Sequence, residues 1–415
     1  MRLSLPLERP RRRRRAWMLA PVLLVVLASW LIAVQRKYPT ASPFVSSWYL
    51  LRHAGQSHPA LKGQVVGFLP YWQTKQYGEY RLNSLSEVVF FSLTANSSGQ
   101  LVRSASGKPD PGWQAWSSAS VRNDIARTEI SGTRMALSVA LQNGVQLGAL
   151  LNDSAAQQRL IGQLVAQVAG NRLDGLNLDF EFSGASTPQH RQVFTSFVGN
   201  LASALHERAP EADLSIDLPP TSAGKAGLYD VPSLARVVSR VIVMSYDYYT
   251  AAGNAAGPVA PMAGYASGEF FFDVSTTYQQ YLAAAPAAKL LMGVPVYGYD
   301  WPVKDNGQPV SELAPQADGS PSLGEVVSYS RMRADPRYSG SNCHWEATAQ
   351  EERCAYTDPT THEQREAWLE TNRSLALKLA FAQQHHLAGV ALWTPGYAGS
   401  YPDPWNLLQH SFGSS

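Results

Sequence analysis

In the stretch 173–182, Asn177, Asp179 and Glu181 alternate with Leu176, Leu178 and Phe180. Successive side chains on a strand point to opposite faces. The three polar residues therefore share one face and the three large apolar ones the other. Carboxyls two residues apart along a strand sit about 6–7 Å from each other. Burying both as charges is costly unless one keeps a proton or both find partners. Such a pair suits acid–base chemistry, because one carboxyl is held as an acid at neutral pH. A lone carboxylate at a strand end reads more simply as a solvated edge or a loop fastener. Three polar residues interleaved with three apolar ones favour a site.

An apolar back and a polar front belong on a strand of a closed parallel barrel, its back under helices and its front facing the mouth. Seven more short apolar runs accompany it: Val65–Pro70, Glu87–Leu93, Arg134–Leu141, Asp213–Pro219, Arg240–Tyr246, Leu290–Tyr297 and Leu387–Trp393. Near-continuous apolar runs mark parallel strands covered on both sides. Helical patterns fill the gaps. Asp153 caps one, with Leu160, Ile161, Leu164, Val165 and Val168 on a stripe. Thr187-Pro188 opens another, with Val193, Phe194, Phe197, Val198, Leu201 and Leu205 inward, and Pro210 ends it. Leu375 and Leu379 mark the last. Eight strands alternating with helices predict an α/β fold, a (β/α)8 TIM barrel.

The segment from Trp301 to Glu370 is too long for a strand-to-helix loop. It predicts a small inserted α+β lobe between strand 7 and strand 8, at about residues 301–370, forming one wall of a cleft. Its runs Asn342–Ala347 and Arg353–Thr357 have strand character and carry Cys343 and Cys354, which admits a cross-hairpin disulfide. Two cysteines without suitably spaced histidines make no zinc site. The nine histidines show no ligand spacing. No metal and no cofactor are expected.

The 415 residues are 45% hydrophobic and 16% charged, enough for one large core. The net charge of +2 hides an asymmetry. Residues 1–37 hold nine Arg/Lys against one Glu, whereas residues 38–415 hold 25 basic and 31 acidic side chains. An acidic body has no basic face for phosphates, so nucleic acid is excluded as a partner. Arg11–Arg15 precede an uncharged stretch, Ala16–Val34, whose nineteen residues would rise about 28 Å as a helix. This predicts a cytoplasmic basic tail (1–15), a transmembrane signal-anchor helix (16–34), a linker (35–61) and an extracytoplasmic barrel (62–410). A cleaved signal peptide is the rival, with Val26-Leu27-Ala28 as a weak cleavage site. The oligomeric state is not readable from the chain.

Asp174-x-x-Asn177-x-Asp179-x-Glu181 resembles the signature of glycoside hydrolase family 18, the chitinase-like enzymes. That signature usually has Asp where Asn177 stands, while Asn is seen in bacterial cell-wall and spore-cortex members. Gly67-Phe68-Leu69-Pro70-Tyr71-Trp72, Met244-Ser245-Tyr246-Asp247, Gly293-Val294-Pro295-Val296-Tyr297-Gly298 and Gly389-Val390-Ala391-Leu392-Trp393 resemble further family strands in the right order. Trp368–Ser374 with Lys378 is similar to the peptidoglycan-directed branch. The resemblance spans about residues 62–410.

It implies a retaining, substrate-assisted cleavage of β-1,4 bonds in a glycan containing N-acetylglucosamine, either chitin-type or peptidoglycan. Glu181 would be the general acid and base, its pKa raised by a negative Asp179. Asp179 would hold the acetamide N–H, and Tyr246 the acetamide oxygen. Asp247 would bind the sugar, with Trp393 beneath its ring. Tyr71, Trp72, Tyr297 and Asn177 complete the expected substrate-binding set. A non-catalytic glycan-binding protein of the same fold is the alternative. Asp217 on the fifth run could face the barrel interior or serve only as a structural hydrogen-bond partner. Asp174, out of phase with Asp179, is expected to serve the turn at Gly175.

Overall fold

A computed structural model describes residues 13–37, 43, 44, 47, 61–182, 184, 186–305, 307, 310–316 and 318–413, with side chains from residue 23 onward except at residue 37. Eight parallel strands close into a barrel: β1 (Gln64–Pro70), β2 (Glu87–Thr94), β3 (Arg134–Ala140), β4 (Gly175–Asp179), β5 (Asp213–Leu218), β6 (Arg240–Val243), β7 (Leu290–Pro295) and β8 (Gly389–Trp393). Each pairs with its sequence neighbours, and β1 pairs with β8 to complete the ring. All eight apolar runs become these strands. The runs of β6 and β7 stop short of the expected Tyr246 and Tyr297, because the chain leaves the ladder at its upper end to form the site, while β4 and β8 begin two residues later than expected.

The helices start where the chemistry of their first residues says they should. Asp153 accepts from Ala156 N ahead of the helix Ser154–Asn171. Thr187 accepts from His190 N ahead of Pro188–Arg208. Thr371 and Ser374 form a reciprocal capping box before Asn372–Gln384. Leu160, Leu164, Phe194, Phe197, Leu375 and Leu379 bury fully against the outside of the barrel. Each such side chain contributes about 1.5–3 kcal/mol through burial. Val66, Phe68, Val89, Phe91, Ala136, Ile242, Leu291 and Ala391 fill the inside.

After β7 the chain departs into a five-stranded antiparallel sheet. Its order is Glu325–Ser328, Tyr297–Pro302, Gln364–Leu369, Glu351–Thr357 and Cys343–Glu346. Cys343 and Cys354 sit opposite each other on the last pair and are disulfide-bonded. Lys378, on the helix before β8, is fully buried and pairs with Glu370 at 2.8 Å and Glu351 at 3.7 Å. This ion cluster fastens the sheet to the barrel.

A helix also runs Arg13–Lys37. Leu23, Leu24, Val25, Val26, Leu27 and Ile32 on it are exposed. Among the described residues no helix is long and apolar enough to cross a membrane, so the expected span has no support from the structure. The side chains of residues 16–22 in that span lie outside the described residues, as do residues 1–12 of the basic tail and most of the linker.

Candidate active site

A cleft of about 830 Å³ opens at the C-terminal ends of the strands, the end where barrels of this kind carry their sites. Its volume lies within the range of about 300–1,000 Å³ usual for ligand sites. Tyr71, Trp72, Asp179, Glu181, Tyr246, Asp247 and Trp393 all border it. Tyr297 and Asn177, expected to touch substrate, do not border it. Tyr297 is buried, and its hydroxyl donates to Asp247 Oδ1 at 2.5 Å, with Tyr299 doing the same at 3.0 Å. Asn177 is buried beneath the floor and donates to Asp217 Oδ1 at 2.7 Å and Ser215 Oγ at 3.1 Å. Both support the lining from behind.

The chain around Glu181 is clamped. Tyr229 donates to Phe180 O at 2.7 Å and accepts from Phe182 N at 3.0 Å, so one phenol brackets the residue between them. Glu181 N donates to Leu141 O at 3.2 Å. The Glu181 carboxyl is therefore presented by fixed backbone rather than by a free loop. Tyr246 fits beside β7 because residue 293 is glycine. A Cβ there would meet Tyr246 Cε1 at 2.9 Å and Val243 O at 2.4 Å. Asp247 adopts a left-handed backbone, φ 57°, which Asp tolerates better than most residues. Trp393 forms the floor, edge-on to Phe91 at 4.7 Å and tilted against Phe68 at 5.5 Å. Trp72 stands half exposed at the rim, and Tyr71 meets it edge-on at 4.7 Å.

Gln142, just past β3, was not singled out from the sequence. Its amide nitrogen donates to Asp179 Oδ2 and to Glu181 Oε1, both at 2.8 Å. Gln142 thus spans the gap between the two carboxyls. The signal available was weak: a polar pair, Gln142-Asn143, directly after an apolar run. Asp217 also borders the cleft. Asp174 faces away from it, and its carboxylate accepts from Met135 N at 2.7 Å.

Four carboxyls, from Asp179, Glu181, Asp217 and Asp247, gather here. Among the described residues none is ion-paired to a Lys or Arg. Burial raises the pKa of Asp179, and Glu181 raises it further, while Gln142 draws it down. Glu181 is raised by burial first; the Gln142 hydrogen bond lowers it, and Asp247 raises it. Desolvation, not the expected push from a negative Asp179, comes first among the causes. Asp217 is pushed well up by burial, then by Asp179. Asp247 opens onto the cleft as a residue, but the apolar surroundings of its carboxyl raise it, against two tyrosine donors that lower it. The Tyr246 hydroxyl is held neutral by burial and four nearby carboxyls. A carboxyl raised by burial, close to three others, is suited to proton donation and to steadying a cation. Among the described residues no group of His, Cys, Asp and Glu is arranged to hold a metal ion.

The family model described as "Glycosyl hydrolases family 18" matches residues 64–398. The chain is 27% identical over 271 residues to the cortical fragment-lytic enzyme of Bacillus subtilis (strain 168), covering 63% of this chain and 55% of that protein. It is 26% identical over 268 residues to the di-N-acetylchitobiase of Rattus norvegicus, covering 61% and 69%. The spore cortex-lytic enzyme SleL of Bacillus megaterium QM B1551 superposes with a TM-score of 0.66 at 19% identity, over 86% of this chain and 76% of that one. The chain thus matches only about half the length of the Bacillus subtilis enzyme.

Proposed function

The chain belongs to the glycosyl hydrolases of family 18, and from that premise we propose that it is a glycosidase that cleaves β-1,4 bonds of an N-acetylglucosamine-containing glycan, with retention. The sugar's own 2-acetamido oxygen attacks the anomeric carbon, so no protein nucleophile is needed. The observation that carries this reading is the clamped Glu181, facing one cleft together with Asp179, Tyr246 and Trp393. Glu181 protonates the leaving oxygen and then, as a carboxylate, takes a proton from water. Asp179 leaves Gln142 to accept from the acetamide N–H and steadies the positive oxazolinium ring. The neutral Tyr246 donates to the acetamide oxygen and aims it at the anomeric carbon. Asp247 accepts from a sugar hydroxyl, and Trp393 carries the apolar ring face. The relatives named as cortical fragment-lytic enzyme and di-N-acetylchitobiase support peptidoglycan or chitin-type chains as the substrate class.

The same proposal places the enzyme in the bacterial inner membrane, single-pass, with its barrel outside the cytoplasm. The uncharged run at 16–34 behind five arginines supports this.

The test incubates the full-length chain, in detergent, with chitooligosaccharides and with peptidoglycan fragments, reading products by mass spectrometry beside Glu181→Gln. Products from the native chain alone are expected; equal products from both proteins remove Glu181 from the mechanism. Protease treatment of intact and opened spheroplasts tests the placement, with the barrel expected to be digested in both. Protection in intact spheroplasts refutes it.

A further inference from the structure

The reading above leaves Asp217 without a task. Asp217 is 3% exposed and borders the cleft. Along β4 and β5, Asn177 pairs with Ser215 and Leu178 with Ile216. One step further, that register sets Asp179 beside Asp217, on strands about 4.8 Å apart. Glu181 follows on the same face. Three carboxyls then share one pocket, and charging all of them there is unfavourable, so at least one keeps a proton.

Asn177 constrains where that proton sits. A side-chain amide neither takes up nor releases a proton at working pH, so Asn177 cannot share one with Asp179. Its nitrogen instead donates to Asp217 Oδ1, which occupies that oxygen as an acceptor and leaves Oδ2 to carry a proton. Asp179 shows the complementary pattern. Its Oδ2 accepts from Gln142, while its Oδ1 is buried and has no hydrogen-bond partner among the described residues.

Resting on the glycosidase reading of this cleft, we propose that Asp217 is the proton-holding partner of Asp179: the two carboxyls carry one proton between them, lodged on Asp217 whenever Asp179 is ionised. The groups facing Asp217 are Asp179, Glu181 and Asn177 from β4 and its extension, Ser215 on its own strand, and Tyr246 beyond β6. Among the described residues no Lys or Arg pairs with it. Once Asp179 has ionised, burial and its charge hold the proton on Asp217. When Asp179 turns toward the acetamide, its proton passes to Asp217. Asp179 becomes negative, the pair keeps a single negative charge, and nothing leaves the pocket. Asp217 is a positioning residue, since it acts on the substrate only through Asp179.

The experiment compares the full-length native chain with Asp217→Asn, Asn177→Asp, Asp179→Asn, the Asn177→Asp/Asp217→Asn double variant and the Asp179→Asn/Asp217→Asn double variant. Hydrolysis of chitooligosaccharides and peptidoglycan fragments is followed from pH 4 to 9. Asp217→Asn supplies a fixed donor that cannot release its proton. It is expected to lower kcat about 10- to 100-fold with KM within about threefold, and to alter the pH profile. The Asn177→Asp/Asp217→Asn variant returns a carboxyl to the pocket from the neighbouring strand and is expected to recover about tenfold of that loss. Asp217→Asn within twofold of the native kcat, or a double variant no better than it, overturns the proposal.

Thermal unfolding over the same pH range needs no substrate. A raised folded pKa means that folding takes up a proton above about pH 4. Asp217→Asn and Asp179→Asn should each melt progressively above the native chain as pH rises. Their gains should fall short of adding in the double variant, because each removal relieves the same repulsion. Fully additive gains, or equal pH slopes, overturn the sharing. A native chain that cuts no glycan while the gains stay non-additive fails the glycosidase reading and leaves the shared proton standing.

Discussion

The two ends of the barrel handle buried charge in opposite ways. At the lower end the first residues of five strands meet: Gln64, Glu87, Arg134, Asp213 and Arg240. Arg240 pairs with Glu87 at 2.9 Å and donates to Gln64 Oε1 at 3.0 Å. Arg134 pairs with Asp213 at 2.7 Å and lies 3.4 Å from Glu87. At the upper end Asp179, Glu181, Asp217 and Asp247 meet with no Lys or Arg ion-paired to them among the described residues. The same alternation along the strands sends both sets inward. Their partners make the difference. Paired charges below hold the ring closed, whereas the carboxyls above, without an ion pair among the described residues, have pKa values raised by burial that acid–base chemistry can use.

Glu181→Gln, at the upper end, should give the largest effect. It should lower kcat by about 10²–10⁴-fold while leaving the circular dichroism spectrum and melting point near native, as steady-state kinetics and a thermal scan would show. Unfolding of that variant would dissolve the contrast between the ends.

Arg240→Met, at the lower end, should do the reverse. It leaves Glu87, 1% exposed, without its closest cation, at a cost of about 3–5 kcal/mol in urea unfolding. The kcat of the folded fraction should stay within about threefold. A larger loss of turnover than of stability would mean that the lower ring feeds the site.

A smaller effect is a pH slope. Asp179 has a folded pKa raised by burial. Its contribution to stability therefore falls as pH rises from about 4, because the unfolded chain releases a proton that the folded chain keeps. Asp179→Asn should flatten that decline and melt higher than the native chain at pH 8, although inactive. No gain in melting temperature would show Asp179 to be compensated after all.

Gln142→Leu should have the smallest effect. Losing a donor shared by two carboxyls raises both pKa values, so the alkaline limb of the pH–rate profile moves to higher pH. A fall of about three- to tenfold in kcat/KM should accompany it. An alkaline limb that moves to lower pH would assign Gln142 a different role.

Much of this was legible in the chain. The β4 stretch states its own inside and outside, because alternation along a strand is a local property. The caps Asp153 and Thr187 likewise act within four residues of themselves. Gln142 and Tyr229 were not legible. Each acts on a carboxyl or a peptide far away in sequence, and a lone polar residue after a strand carries no mark of what it will meet. Asn177 shows the limit from the other side. Its phase with Asp179 is correct, yet its depth puts it beneath the floor.

The sequence by itself determined which residues alternate, where strands and helices begin, and that an acid lies on the polar face of the fourth strand, since all of these follow from neighbours in the chain. Only closure of the barrel decided that Asp217 stands beside Asp179, that Tyr297 serves Asp247 from behind, and that the lower charges are paired while the upper ones are not. Those relations depend on register between strands and on depth from the cleft. Neither is fixed until the eighth strand meets the first.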